Sequence, residues 1–281
     1  MVAIEIQPGI EYACHDGVSL LGDLYSPVAT GSYPALLVIH GGAWKQSSRA
    51  TYRHWGPYLA EHGYVVFSVD YRLAAPSLPT YPQNVHDVKA AIQFMRGKCG
   101  ALKIDPERIG VMGDSAGGHL SALLALSGDS PKLASPYVDD QYFGVSTRLR
   151  VAVPIYGVFD LLRQWEHDQL ERPEDQITEA YLGGSPMQIR DRFYEASPIS
   201  WTKFDNNGAA FLVVWGTADD VVDAETQSIP FVTALKRANG FVRTAPIQGA
   251  PHYWVHEPLD DPQSYSSFFA PKLMRFLAER L

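Results

Sequence analysis

Cysteine is scarce in this sequence: 281 residues hold two, Cys14 and Cys99. Two thiols cannot build a disulfide framework or a cysteine-ligated metal cluster, and they suit a reducing interior. Basic charge is also short, with 23 Lys and Arg against 31 Asp and Glu for a net charge of −8. The basic residues are scattered singly, which leaves no stripe for nucleic acid and no patch for an anionic membrane. A small or neutral partner is implied, and a homodimer is left open. Nowhere do the roughly 18 consecutive apolar residues of a membrane span occur. Residues 1–9 carry Glu5 where an export leader would carry Lys or Arg, and they lack its apolar stretch. A soluble cytoplasmic protein is the expectation. Internal repeats and low-complexity tracts are absent from the sequence.

Apolar residues, by contrast, make up 46% of the chain. At this length about 75% of the unfolded surface can be buried without staples. Two short alternating runs, at 9–14 and 18–25, are followed by continuous apolar runs at 35–39, 64–69, 108–112, 150–155, 210–215 and 242–247. Runs apolar on both faces fit strands buried between helical layers, as in a mostly parallel sheet. Helical patterns at 51–61, 84–96, 116–126, 224–238 and 271–280 alternate with them. This order predicts one α/β domain over 1–281 with an antiparallel start. Two stretches, 128–147 and 159–208, exceed the usual connection length and are expected as insertions forming a cap at the carboxyl edge of the sheet.

Chemistry is concentrated at Gly113-Asp114-Ser115-Ala116-Gly117-Gly118, a G-x-S-x-G motif between an apolar strand and a helix. Such a tight turn needs small flanking residues and exposes the serine hydroxyl at the sheet edge, so Ser115 is the candidate nucleophile. A serine hydroxyl needs a base to take its proton and a carboxylate to orient that base. Among nine histidines, only His252 and His256 come late enough for the order serine, acid, histidine. His252, in Gly249-Ala250-Pro251-His252 directly after the last strand, is preferred. His252 and His256 are four apart, but Pro251 and Pro258 bracket too short a segment for a metal-binding helix. His119, one turn beyond Ser115, reads as a hydrogen-bonded structural histidine. For the acid, Asp219 and Asp220 both end a strand, and Asp160 follows another; the G-x-x-D pattern favours Asp219.

The tetrahedral intermediate needs donors for its oxyanion. His40-Gly41-Gly42-Ala43-Trp44 follows a strand, and the N–H groups of Gly42 and Ala43, with that of Ala116, can supply them. Trp44, Tyr156 and Trp254 flank these motifs as candidate pocket walls, with core packing as the equal alternative.

Together the segments H-G-G-A-W, Asp70-Tyr71-Arg72-Leu73-Ala74, G-D-S-A-G-G-H-L, G-T-A-D-D-V-V and G-A-P-H resemble the hormone-sensitive-lipase-like carboxylesterases of the α/β-hydrolase superfamily. Within them the chain is most similar to bacterial feruloyl and acetyl esterases, from about Leu20 to the C-terminus. The resemblance implies the α/β-hydrolase fold, the triad Ser115, Asp219 and His252, an oxyanion hole from Gly42, Ala43 and Ala116, and no cofactor or metal. It also makes Arg72 structural. Ala43 stands where many relatives have glycine, and the segment after Asp70 carries one residue more than the common pattern. The H-G-G-x-W form occurs in arylformamidases too, so hydrolysis of an N-formyl amide by the same residues is the alternative activity. A catalytically silent receptor on this fold is the non-enzyme alternative. The insertions carry Tyr137, Tyr142, Phe143, Trp165, Tyr181 and Trp201, which points to short-acyl or aryl esters rather than long-chain lipids.

Overall fold

The computed structural model describes residues 2–204 and 208–281. An eight-stranded sheet runs in the order β1-β2-β4-β3-β5-β6-β7-β8. The strands are β1 (Ile4–His15), β2 (Val18–Pro27), β3 (Tyr33–Ile39), β4 (Val65–Val69), β5 (Ile104–Asp114), β6 (Val151–Ile155), β7 (Ala210–Gly216) and β8 (Val242–Ile247). β1 pairs antiparallel with β2, and β2 with β4; every later pairing is parallel. The alternating runs thus form the antiparallel start, and the doubly apolar runs form the parallel centre.

Burial explains that division. Leu36 and Val38 pack with Tyr52, Trp55 and Met112 on one face, whereas Leu37 and Ile39 pack with Val88, Val111 and Leu120 on the other. All four β3 residues are fully buried, each worth roughly 1.5–3 kcal/mol relative to exposure. Helices α1 (Trp55–Glu61) and α8 (Tyr265–Arg280) cover the first face; α2 (Gln83–Gly97) and α3 (Ala116–Ser127) cover the second. α7 (Ser228–Arg237) packs against β7 and β8. It begins four residues later than the pattern at 224–238 predicts, because Asp223 accepts from the N–H of Glu225 and Thr226 and holds that stretch as a turn. α8 starts six residues before Pro271, where Ser264 caps it by accepting from Ser267 N–H at 3.0 Å.

The long stretches go to different places. Residues 128–147 run along α2: Lys89 Nζ donates to Gly128 O, Gln93 Nε2 to Val145 O, and Tyr142 packs over Gly97. Of the second stretch, 159–208, residues 205–207 lie outside the described residues, and the part up to residue 204 carries α4 (Leu161–Glu171), α5 (Ile177–Leu182) and α6 (Pro186–Ala196). Gln164 of α4 and Arg172, just past its end, both donate to the carbonyl of Val221, beyond the end of β7, and Tyr181 of α5 stacks on Trp44, beyond the end of β3. This second stretch therefore lies over the carboxyl edge. Strand order reverses between β3 and β5, and the crevice at such a switch point is where open α/β sheets place ligands.

Candidate active site

Ser115 stands at that switch point, immediately after β5. Its backbone has φ 51° and ψ −117°, a region that costs a non-glycine residue on the order of 1–3 kcal/mol unless its surroundings impose it. They do so through backbone contact. A Cβ on Gly113 would meet Gly117 O at 2.4 Å, and one on Gly117 would meet Ile39 O at 2.0 Å, so only glycine fits either side of the elbow. Ser115 N–H donates to Ile155 O at 2.9 Å, which pins the turn to β6.

Two loops bring His252 and Asp219 to it. Ser115 Oγ lies 3.0 Å from His252 Nε2, and His252 Nδ1 lies 2.7 Å from Asp219 Oδ2. An ionised Asp219 can only accept, so Nδ1 carries the proton and Nε2 is free to accept from the serine hydroxyl. The other Asp219 oxygen accepts from the N–H groups of Val221 at 3.0 Å and Val222 at 2.9 Å, which limits rotation of the carboxylate. The loops are stitched together: Ala218 N–H donates to Ala250 O, Gly249 N–H to Thr217 Oγ1, and a Cβ on Gly216 would strike Ala250 O at 2.2 Å. Both the His252 and Asp219 side chains are almost wholly buried, so their attraction is little screened by water.

Neither alternative acid reaches His252. Asp160 caps α4, its Oδ1 accepting from the N–H of Leu162 and Arg163. Asp220 is exposed, and its carbonyl faces His167. His256 is turned away too, with Nε2 at 3.6 Å from Asp114 rather than at Ser115.

The Gly42 turn follows β3. Gly42, Ala43 and Trp44 have φ of 103°, 53° and 57°, and the Gly42 carbonyl accepts from the N–H of Lys45 and Gln46. Among the described residues nothing accepts from the N–H of Gly42 or Ala43. Ala116 opens α3, where the first N–H groups of a helix have no intrahelical partner and the helix dipole favours negative charge. The three donors named from the sequence thus belong to a loop and a helix start in backbone contact with one another.

The aromatic expectations need correction. Trp44, Tyr156 and Trp254 are exposed by only 2%, 0% and 1%. Trp44 stacks on Tyr181, Trp254 packs on Phe269, and Tyr156 sits behind the His252 ring at 4.5 Å. They brace the site instead of walling an open pocket. The exposed ring beside His252 is Tyr253, half-exposed at 51% and 4.4 Å from the imidazole. Only its adjacency to His252 could have marked it in the sequence. Asp114, whose Oδ1 accepts from Gly41 N–H, and Tyr52, whose hydroxyl donates to the same oxygen, were not named as site residues from the sequence. The signal for Asp114 was an acid ending a strand of apolar residues. Among the described residues no three His, Cys, Asp or Glu side chains gather as metal ligands, and no helix is long and apolar enough to cross a membrane.

Sheet order, elbow and loop placement define an α/β-hydrolase. Residues 22–235 match the BD-FAE family model, and the chain belongs to this family of hormone-sensitive-lipase-like α/β-hydrolases. It is 30% identical over 212 residues to the probable carboxylic ester hydrolase LipM of Mycobacterium tuberculosis, covering 75% of this chain and 46% of LipM. Esterase LipC of the same organism is 35% identical over 214 residues, covering 72% and 48%. The chain thus spans about half the length of these curated relatives. Esterase 2 of Thermogutta terrifontis, solved with butyrate bound, superposes with a TM-score of 0.77 at 27% identity, covering 98% of this chain and 93% of that one.

Proposed function

We propose that the chain is a serine carboxylesterase acting on short-acyl or aryl esters. The observation that carries this reading is the unbroken line from Asp219 through His252 to Ser115. In the first half-reaction Ser115 Oγ adds to the ester carbonyl as His252 Nε2 takes its proton. Asp219 stabilises the imidazolium, and the N–H groups of Gly42, Ala43 and Ala116 receive the oxyanion. Collapse breaks the ester bond, and His252 returns its proton to the departing alcohol. Water then repeats the sequence on the acyl-serine and releases the acid.

Support for short acyl groups comes from the butyrate held by the Thermogutta esterase. Support for aryl groups comes from Tyr253, whose exposed face beside His252 can stack on a planar acyl chain. The free thiols Cys14 and Cys99 fit a reducing, cytoplasmic setting. The test compares kcat/KM for p-nitrophenyl acetate, p-nitrophenyl palmitate, methyl ferulate and N-formylkynurenine. Acetate or ferulate should lead. Palmitate ahead of acetate refutes the short-acyl reading, and formylkynurenine ahead by orders of magnitude makes the protein an arylformamidase. Failure to react with a fluorophosphonate leaves a silent receptor.

A further inference from the structure

Asp114 is fully buried at the end of β5, and the reaction as derived gives its side chain no task. A carboxylate so placed is costly unless its oxygens are held. Its Oδ1 accepts from the N–H of Gly41 at 2.9 Å and from the hydroxyl of Tyr52, itself buried, at 2.9 Å. Its Oδ2 takes no hydrogen bond among the described residues and has His256 Nε2 at 3.6 Å. A Cβ on Gly41 would stand 2.5 Å from Oδ2 and 2.9 Å from the Asp114 carbonyl, so residue 41 is glycine because this side chain fills the space beside it. On its other side the same strand end touches α3, where a Cβ on Gly117 would lie 2.6 Å from His40 O. The start of the Gly42 turn is therefore clasped between the residue before the nucleophile and the residue two after it.

We infer that Asp114 is a positioning residue that sets the Gly42 and Ala43 N–H groups in register with Ser115 Oγ by holding Gly41. The inference rests on the esterase reading above and deepens it. Oxyanion donors act at about 2.7–3.1 Å from the position the charged oxygen will occupy, and a displacement of about 1 Å can cost on the order of 10²-fold. The neutral carbonyl of bound substrate asks less of the same donors, so a loosened loop lowers kcat while leaving KM nearly unchanged. Tyr52 supports the same function from behind, since its hydroxyl fixes which way Oδ1 points.

Asp114→Ala should lower kcat for p-nitrophenyl acetate about 10- to 100-fold with KM within about threefold. Affinity for a trifluoromethyl ketone, which forms a charged tetrahedral adduct on Ser115, should weaken by the same factor as kcat/KM. Asp114→Asn, which keeps an oxygen for Gly41 and Tyr52, should recover most of the loss. Should the alanine variant unfold, Gly41→Ala carries the test, because its methyl group pushes the same turn away from Asp114 and should give the same split. A folded Asp114→Ala or Gly41→Ala enzyme with kcat within about threefold of the parent overturns the inference, as does a loss confined to KM or one the asparagine variant shares in full. A parent protein that turns over no ester at all is a separate result, which removes the esterase reading itself.

Discussion

Trp44 donates its indole N–H to Nδ1 of His119 over 3.2 Å, while Nε2 of the same imidazole lies 2.8 Å from the carbonyl of Ala196. The Gly42 turn, helix α3 and helix α6 are thereby joined through one neutral histidine, with Nδ1 accepting and Nε2–H donating. Burial holds this imidazole down at about 4, against the opposing pull of the Ala196 carbonyl. His86 is also pushed down to about 4 by burial, and burial lowers His40 as well.

The sign of the consequence is fixed. A histidine whose folded pKa lies below its unfolded value of about 6.5 contributes stability that is present above that pH and lost as pH falls through the folded value. Urea midpoints should therefore drop between pH 7.5 and pH 4.5, and the slope should be shallower in His119→Gln. Identical slopes in the two proteins would contradict the neutral bridge.

Ser115 and His252 share one hydrogen bond and should fail as one unit. Ser115→Ala and His252→Ala should each lower kcat by about 10⁴ or more, and the double variant should be little worse than either. Multiplicative losses in a double-mutant cycle, or near-normal turnover by one single variant, would separate the two residues.

Asp219, Asp220 and Asp160 sit in three different environments. Asp219→Asn should cost about 10⁴ in kcat, because the amide cannot hold the tautomer that leaves Nε2 free. Asp220→Asn should change kcat by less than about threefold, since its carboxylate lies away from His252. Asp160→Ala should spare kcat and instead lower stability by about 0.5–2 kcal/mol, the usual cost of a lost helix cap. Thermal melts beside steady-state kinetics distinguish these outcomes.

What could be read from the sequence depended on how many physical constraints met at a residue. At Ser115 a strand, a helix and two obligatory glycines coincide, and at His252 a short loop follows the last strand; both positions were fixed by neighbours along the chain. Asp219 needed a pattern to be preferred over Asp220, because two adjacent acids look alike until Val221 and Val222 N–H groups select one. The aromatic residues were ambiguous for a different reason. Trp44 and Trp254 are buried by Tyr181 and Phe269, residues remote in sequence, and no local pattern reports such contacts. Stretch 128–147 was expected at the carboxyl edge on length alone, whereas its course along α2 is set by Lys89, Gln93 and Gly97, residues of another element that no pattern within the stretch reports.

A second buried histidine should respond to pH in the opposite sense. His15, at the end of β1, bonds Asp87 of α2 through Nδ1 at 2.7 Å and Asp140 through Nε2 at 2.9 Å. Both partners are carboxylates, so a ring protonated at both nitrogens satisfies both, and it lies stacked 3.7 Å from Tyr137. Burial alone would depress its pKa, but the bonds to Asp87 and Asp140 outweigh burial and raise it. Arg72 forks onto both oxygens of Asp87, so the carboxylate keeps one cation when His15 titrates. A histidine with a raised folded pKa contributes stability that is fully present below about 6.5 and lost as pH rises through the folded value. The difference in urea stability between the parent and His15→Gln should therefore be largest near pH 6 and should shrink toward pH 9. Asp140→Asn should shift that decline to lower pH, because one of the two bonds that raise the pKa is weakened. A stability difference that stays constant from pH 6 to pH 9 would mean the ring is neutral throughout, and the clamp between β1, α2 and stretch 128–147 would then owe nothing to charge.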